Sequence, residues 1–119
     1  MGLSKLFRLR SKKRQEQGIR FSIIVVCYEM EREIARTLQS ISSAYQREIA
    51  ADEYEVIVVD NGSPSALSER LVSQHGPNFR LMRVENACKA PGAAINQAVA
   101  ESSGQYIGVV IDGARMLPP

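Results

Sequence analysis

Two aspartates, Asp60 and Asp112, each stand directly after an apolar, β-branched run, Tyr54 to Val59 and Tyr106 to Ile111. An acid in that place has two uses. It caps the turn that follows, here Asn61-Gly62 or Gly113, through an Asx-type hydrogen bond. Alternatively it accepts hydrogen bonds from a ligand: a base N–H or ribose hydroxyl at Asp60, a ribose at Asp112, where it can also ligate a metal. Tyr28, closing a third apolar run, offers a flat face for a base to stack on. Asn61 and Ser63 add an amide and a hydroxyl. These are groups for binding, with no nucleophile and base at a matching spacing. The single histidine, His75, stands alone beside Gly76, where it suits a helix C-terminus. Cys27 and Cys88 have neither metal-ligand nor redox spacing and read as inert thiols of a reduced compartment.

The elements that must carry these groups follow from periodicity. Phe21 to Tyr28, Tyr54 to Val59, Phe79 to Val84 and Tyr106 to Ile111 read as four strands, the first, second and fourth being runs expected of strands buried on both faces. Between them, Glu31 to Arg47 carries Ile34, Leu38, Ile41 and Tyr45 on one helical stripe. Ser63-Pro64 reads as an N-cap with Pro at N1, opening a short helix through Leu67, Leu71 and Val72 that Gly76-Pro77 stops. Gly92 to Ser102 is a helix of small residues with Ile95 and Val99 inward. Strands alternating with helical crossovers predict an α/β, doubly wound, mainly parallel sheet. In such sheets ligands sit outside the carboxyl ends of the strands, where Tyr28, Glu29, Asp60, Asn61, Ser63, Glu85, Asn86 and Asp112 fall.

Composition narrows the field. With 119 residues, 45% hydrophobic and 24% charged, the chain has room for one modest domain and is not wholly disordered. No apolar run reaches the ~18 residues of a membrane span. Residues 1–20 carry seven basic side chains against Glu16 alone, while the other eight basic and twelve acidic residues leave the body acidic. Residues 1–20 are therefore expected to be a flexible basic tail, with residues 21–119 the folded body. Leu3, Leu6, Phe7 and Arg10 would share a helical face, so the tail could touch an anionic membrane surface. The acidic body, without aromatic residues interleaved among basic ones, speaks against nucleic acid. The turn after the first strand, Tyr28 to Arg32, has no glycine, which excludes a P-loop or a dinucleotide fingerprint there.

The motifs together carry a resemblance. Phe21-Ser22-Ile23-Ile24-Val25-Val26-Cys27-Tyr28-Glu29 is similar to the first strand of the family 2 glycosyltransferases of GT-A fold, which usually ends in Pro-x-Tyr-Asn. Tyr54 to Ser63 resembles that family's second strand and its Asp-Asn/Asp-Gly-Ser signature. Glu85-Asn86 with Gly92 to Ala98 resembles its Gly-x-x-x-Asn-x-Gly/Ala helix. Gly104 to Asp112 resembles the strand that enters the D-x-D motif. The resemblance implies a Rossmann-like nucleotide-sugar site, most naturally for a UDP-sugar. Tyr28 and Glu29 would flank the base, Asp60 would bond its edge, Asn96 would hold the loop or the donor, and Asp112 would sit near the ribose and diphosphate.

Three positions depart from the pattern: Val26 replaces Pro, Glu29 replaces Asn, and Ala114 replaces the second acid of D-x-D. The resemblance implies a divalent metal, Mg²⁺ or Mn²⁺, at Asp112, yet Ala114 has no ligand atom to help hold it. Arg115 is a cation that could offset diphosphate charge in its place. The family's catalytic base, which deprotonates the acceptor in the inverting mechanism, is expected beyond Asp112 and outside this chain. The chain therefore reads as the donor-binding half of a glycosyltransferase, cut short after the D-x-D position and inactive alone. The alternative is a non-catalytic nucleotide-binding module of the same fold. A cytoplasmic location, peripheral at a membrane through residues 1–20, is expected. So is self-association through an open edge at Ile107 to Ile111.

Overall fold

A computed structural model describes residues 18–85 and 90–119. The expectations for the basic tail, apart from residues 18–20, and for Asn86 and Cys88 lie outside the described residues. The elements run β1 (Phe21–Cys27), α1 (Glu31–Ile41), β2 (Tyr54–Asp60), α2 (Glu69–Ser73), β3 (Phe79–Arg83), α3 (Gly92–Glu101) and β4 (Tyr106–Ile111). All the strand pairs are parallel, in the order β3-β2-β1-β4. The predicted architecture is the one observed.

Side-chain alternation splits the core between the two sheet faces. On one face Val25, Cys27, Val56 and Val58 pack with Ile34, Leu38 and Ile41 of α1 and Val72 of α2. On the other, Ile24, Ile57 and Val59 meet Ala94 and Ala98 of α3. Alanine lets α3 approach closely, so these two residues are its buried positions, while Ile95 and Val99 are only half-buried. Every residue of β2 is buried, as expected of a strand with neighbours on both sides and helices on both faces.

The amino ends of the strands are tied by a polar cluster. Ser22 Oγ donates to Glu55 Oε1 at 2.6 Å, the same oxygen accepts from Ser103 N–H, and Gly104 N–H donates to Ser22 Oγ at 2.8 Å. Arg80 Nη2 lies 3.5 Å from Glu55 Oε2. This buried carboxylate sets β1, β2 and the entry to β4 level with one another, which aligns their carboxyl ends.

Two helices differ from expectation. The first stops at Ile41 instead of reaching Arg47, because its last carbonyls are taken by side chains. Tyr54 Oη donates to Ile41 O at 2.8 Å, Gln46 Nε2 to Ser40 O at 2.9 Å, and Ser42 Oγ to Gln39 O at 2.7 Å. Tyr45 consequently falls outside the helical stripe and is exposed, whereas Tyr54 is buried. The second helix begins at Glu69, capped by Ser68, whose Oγ accepts from Leu71 N–H at 3.2 Å. Ser63 cannot cap it, since its backbone and hydroxyl are engaged at the carboxyl edge of the sheet.

Candidate functional site

The strand order reverses at β1: the chain moves from β1 through β2 to β3 on one side, then returns to place β4 on the other. The carboxyl ends of β1 and β4 therefore border a topological switch point, the usual ligand crevice of an open α/β sheet. The turn leaving β1 is clamped there from both sides. Tyr28 N–H donates to Asp112 Oδ2 at 3.0 Å, across from β4, and Glu29 N–H donates to Ser63 Oγ at 3.1 Å, across from the loop after β2. Backbone bonds complete the joint, Asn61 N–H to Cys27 O at 2.9 Å and Asp112 N–H to Val26 O at 3.1 Å.

This clamp forces an unusual backbone on Glu29, whose φ is 53°. That left-handed region is costly for most L-residues and well tolerated by asparagine. The asparagine usual at this place in the resembling family has a backbone reason that glutamate does not share. Tyr28, immediately before, is 50% exposed and free to present its ring at the mouth of the crevice.

Asp60 satisfies the turn-capping use. Its carboxylate is buried, with Oδ1 accepting from Ser63 N–H at 3.0 Å and Oδ2 from Leu67 N–H at 2.9 Å. Arg83 Nη1, on the neighbouring strand in register with it, lies 3.8 Å from Oδ2. One side chain thus folds residues 61–67 into a fixed loop, and that loop holds the β1 turn through Ser63. Asp112 is half-buried and has one oxygen committed to Tyr28. Asn96 lies exposed on α3, and its side chain has no hydrogen-bond partner among the described residues. The structure therefore brings Tyr28, Glu29, Asp60 and Asp112 into one bonded assembly and leaves Asn96 outside it.

Sequence reasoning missed Ser63 as a tie and Arg83 as the partner of Asp60. The signal for Arg83 was its place one strand away, as the fifth residue of β3. It becomes readable only once the parallel register is known.

Two other groups are structural. Burial, then the charges of Asp60 and Asp112, push the Cys27 thiol up to about 12, so it stays protonated and inert. His75 is held below its ordinary range by burial and lies beside Phe79, with ring centroids 5.8 Å apart. A cavity of about 640 Å³ opens at the opposite, amino edge of the sheet, beside Tyr54, Glu55, Asn78 and Arg80. Two of its charged groups, Glu55 and Arg80, already serve the cluster at the amino ends of the strands.

The residues do not by themselves fit a divalent metal. Asp112 offers one uncommitted oxygen, Ala114 offers none, and no group of three His, Cys, Asp or Glu side chains suited to a metal occurs among the described residues.

The family model for glycosyl transferase family 2 matches residues 22–112, which takes in the four described strands except Phe21, and the whole clamp. The chain belongs to that family. Among solved structures, S. aureus TarS 1–349 superposes with a TM-score of 0.71 at 27% identity, over 82% of this chain and 28% of its own length. The same protein in complex with UDP gives 0.69 at 28% identity, over 80% of this chain and 28% of that one. In complex with UDP-GlcNAc it gives 0.69 at 28%, over 80% and 27%. This family member thus spans little more than a quarter of the length of these three structures. No curated protein matches it. Among the described residues, no helix is long and apolar enough to cross a membrane.

Proposed function

We propose that the carboxyl edge of this sheet binds the nucleotide of a nucleotide-diphosphate sugar, and that the chain is the donor-binding half of an inverting glycosyltransferase. The observation that carries the reading is the β1 turn, clamped between Asp112 and Ser63 so that Tyr28 is presented at the switch point. Support comes from family membership and from like-folded TarS structures that hold UDP and UDP-GlcNAc.

The residues divide the work by their geometry. Tyr28 stacks on the base, with the Glu29 side chain beside it. Asp60 acts by fixing the 61–67 loop against which the base edge lies, its buried carboxylate accepting one backbone N–H of that loop on each oxygen. Asp112 sets the turn through one oxygen and offers the other to the ribose. Asn96 approaches the donor from α3. In transfer, an acceptor hydroxyl attacks the anomeric carbon, its proton passing to a base, and the nucleoside diphosphate leaves. That base and the acceptor site are assigned outside residues 1–119. A metal is assigned no step, because the donor set among the described residues does not by itself fit one. Ala114 also favours a second reading, a nucleotide-binding module of the same fold without chemistry.

Calorimetric titration of the chain with UDP, UDP-sugars and NAD tests the site. UDP and its sugars bind, NAD does not, and Tyr28→Ala weakens UDP by the worth of one stacked base, about 1–3 kcal/mol. Absence of UDP binding, or binding indifferent to Tyr28, overturns the assignment. Separate enzymatic assay distinguishes the two readings: sugar transfer by a chain extended with an acceptor half supports the first, and its failure the second.

Two further contacts are proposed. The free edge of β4, with Tyr106, Val109 and Ile111 exposed, pairs with a second copy when nothing else covers it. Light scattering reads this as a dimer that Val109→Lys dissolves. Residues 1–20 bring the body to an anionic membrane surface, in keeping with a peripheral cytoplasmic protein. Salt-sensitive binding to phosphatidylserine vesicles, lost on deleting those residues, is the expected result.

A further inference from the structure

The stretch leaving β4 is laid along α1. Thr37 Oγ1 donates to Ala114 O at 2.7 Å, Met116 N–H donates to Ser40 Oγ at 3.0 Å, and Gln46 Nε2 donates to Leu117 O at 3.1 Å. Thr37 and Ser40 are buried, so the first two ties are anchored in the body of the fold. Gly113, with φ 84°, makes the bend that starts this course.

The consequence is a cluster of cations. Arg115, between two strapped residues, comes to line a cavity of about 210 Å³ together with Arg32 and Arg36, which are one turn apart on α1. Glu33 and Gly113 complete the lining. Three guanidinium groups against one carboxylate leave the cavity a net positive charge. None of the three arginines has an ion-pair or hydrogen-bond partner among the described residues, whereas Arg20, Arg80 and Arg83 each pair with an acid. Like charges gathered in one concavity repel unless a counter-ion joins them. Arginine forks are suited to oxyanions, each offering two parallel N–H donors.

We propose that the Arg32–Arg36–Arg115 cavity is a binding site for a phosphate-type oxyanion. Its lining includes neither Tyr28, Asp60 nor Asp112, so the site does not rest on the nucleotide reading and can stand or fall separately. The phosphate has two sources of the same chemistry: the diphosphate of a donor, reaching past the Asp112-Gly113 turn, or a phosphate group on a second molecule.

The test is titration of the whole chain with inorganic phosphate and pyrophosphate, followed by calorimetry and by backbone amide shifts. Both anions bind, pyrophosphate more tightly, and affinity falls with salt. Arg32→Gln, Arg36→Gln and Arg115→Gln each weaken pyrophosphate by about tenfold, the worth of one charge-assisted pair. Arg36→Lys keeps the charge but loses the fork and falls between. Arg70→Gln, which removes an exposed cation on α2, changes nothing. The single variants retain the parent melting temperature, since no partner is lost. Displacement of pyrophosphate by UDP assigns the anion to the donor, and simultaneous binding assigns it to a second molecule. Failure of both anions to bind, or equal binding by folded Arg32→Gln, Arg36→Gln and Arg115→Gln variants, overturns the proposal.

Discussion

Replacing Asp60 by alanine should cost this protein a large share of its stability without removing any contact to solvent. The carboxylate is 1% exposed and each oxygen accepts one backbone N–H, from Ser63 and from Leu67. Ser63 and Leu67 are themselves buried, so water does not take over as acceptor. Each stranded donor costs about 1–3 kcal/mol. The Arg83 pair adds little, since at 3.8 Å and with a half-exposed guanidinium it is a weak, screened contact. The expected loss is about 2–5 kcal/mol, against a total of about 5–15 kcal/mol for a domain. Asp60→Asn should lose less, about 1–3 kcal/mol, because its carbonyl serves one donor while its amide opposes the other. Urea unfolding followed by circular dichroism measures both. Nucleotide affinity at temperatures where the variants stay folded should fall as well, since the loop no longer holds Ser63 against Glu29. A loss below about 1 kcal/mol for Asp60→Ala would refute the argument that this acid is the organiser of the loop.

Three other outcomes follow from the same geometry. In a Cys88→Ser background, Cys27 resists iodoacetamide at pH 8 and reacts once urea is added; prompt alkylation of the folded chain would contradict its raised pKa of about 12. Because folding favours the protonated thiol, its contribution to stability is whole below the unfolded thiol's pKa of about 8.5 and is lost as pH rises from there toward about 12, which alkaline melting curves will show. Gly104→Ala places a methyl 2.5 Å from Ser22 N and 2.6 Å from Phe21 C, both backbone atoms. The strands must part, and thermal unfolding should register about 1–3 kcal/mol of destabilisation, with an unchanged melting temperature telling against the close approach. Glu29→Asn relieves the left-handed backbone at φ 53° and should stabilise by about 0.5 kcal/mol, whereas Glu29→Val should destabilise; the reverse order would show that the clamp does not impose that conformation.

Much of this was legible in the residues. Apolar runs and helical stripes placed the four strands and three helices of the described residues in order, because burial on two faces leaves a continuous β-branched signature and burial on one face leaves a periodic one. The carboxyl edge was legible for the same reason, since Tyr28, Asp60 and Asp112 close three of those runs. Helix ends were less so. The first helix stops at Ile41 because Tyr54, from the next strand, takes a carbonyl of its last turn, a partner that is 13 residues away and invisible to local pattern.

The roles within the edge depended on the fold. An acid after a strand can cap a turn or receive a ligand, and both uses are written with the same residue. Only the folded loop shows Asp60 spent on Ser63 and Leu67, with Arg83 beside it by parallel register. Ser63 looked like a helix cap, and tertiary contact turned it into the tie for Glu29. The gathering of Arg32, Arg36 and Arg115 was likewise hidden, being the product of hydrogen bonds between helix α1 and a segment 77 residues further along the chain. Sequence by itself determined the elements, their order and the edge that carries polar groups, because those depend on local periodicity and burial. The strand order, the clamp on the β1 turn and the partner of each charge were decided by tertiary structure, because hydrogen bonds and ion pairs are made by whichever groups the sheet register brings within about 3–4 Å.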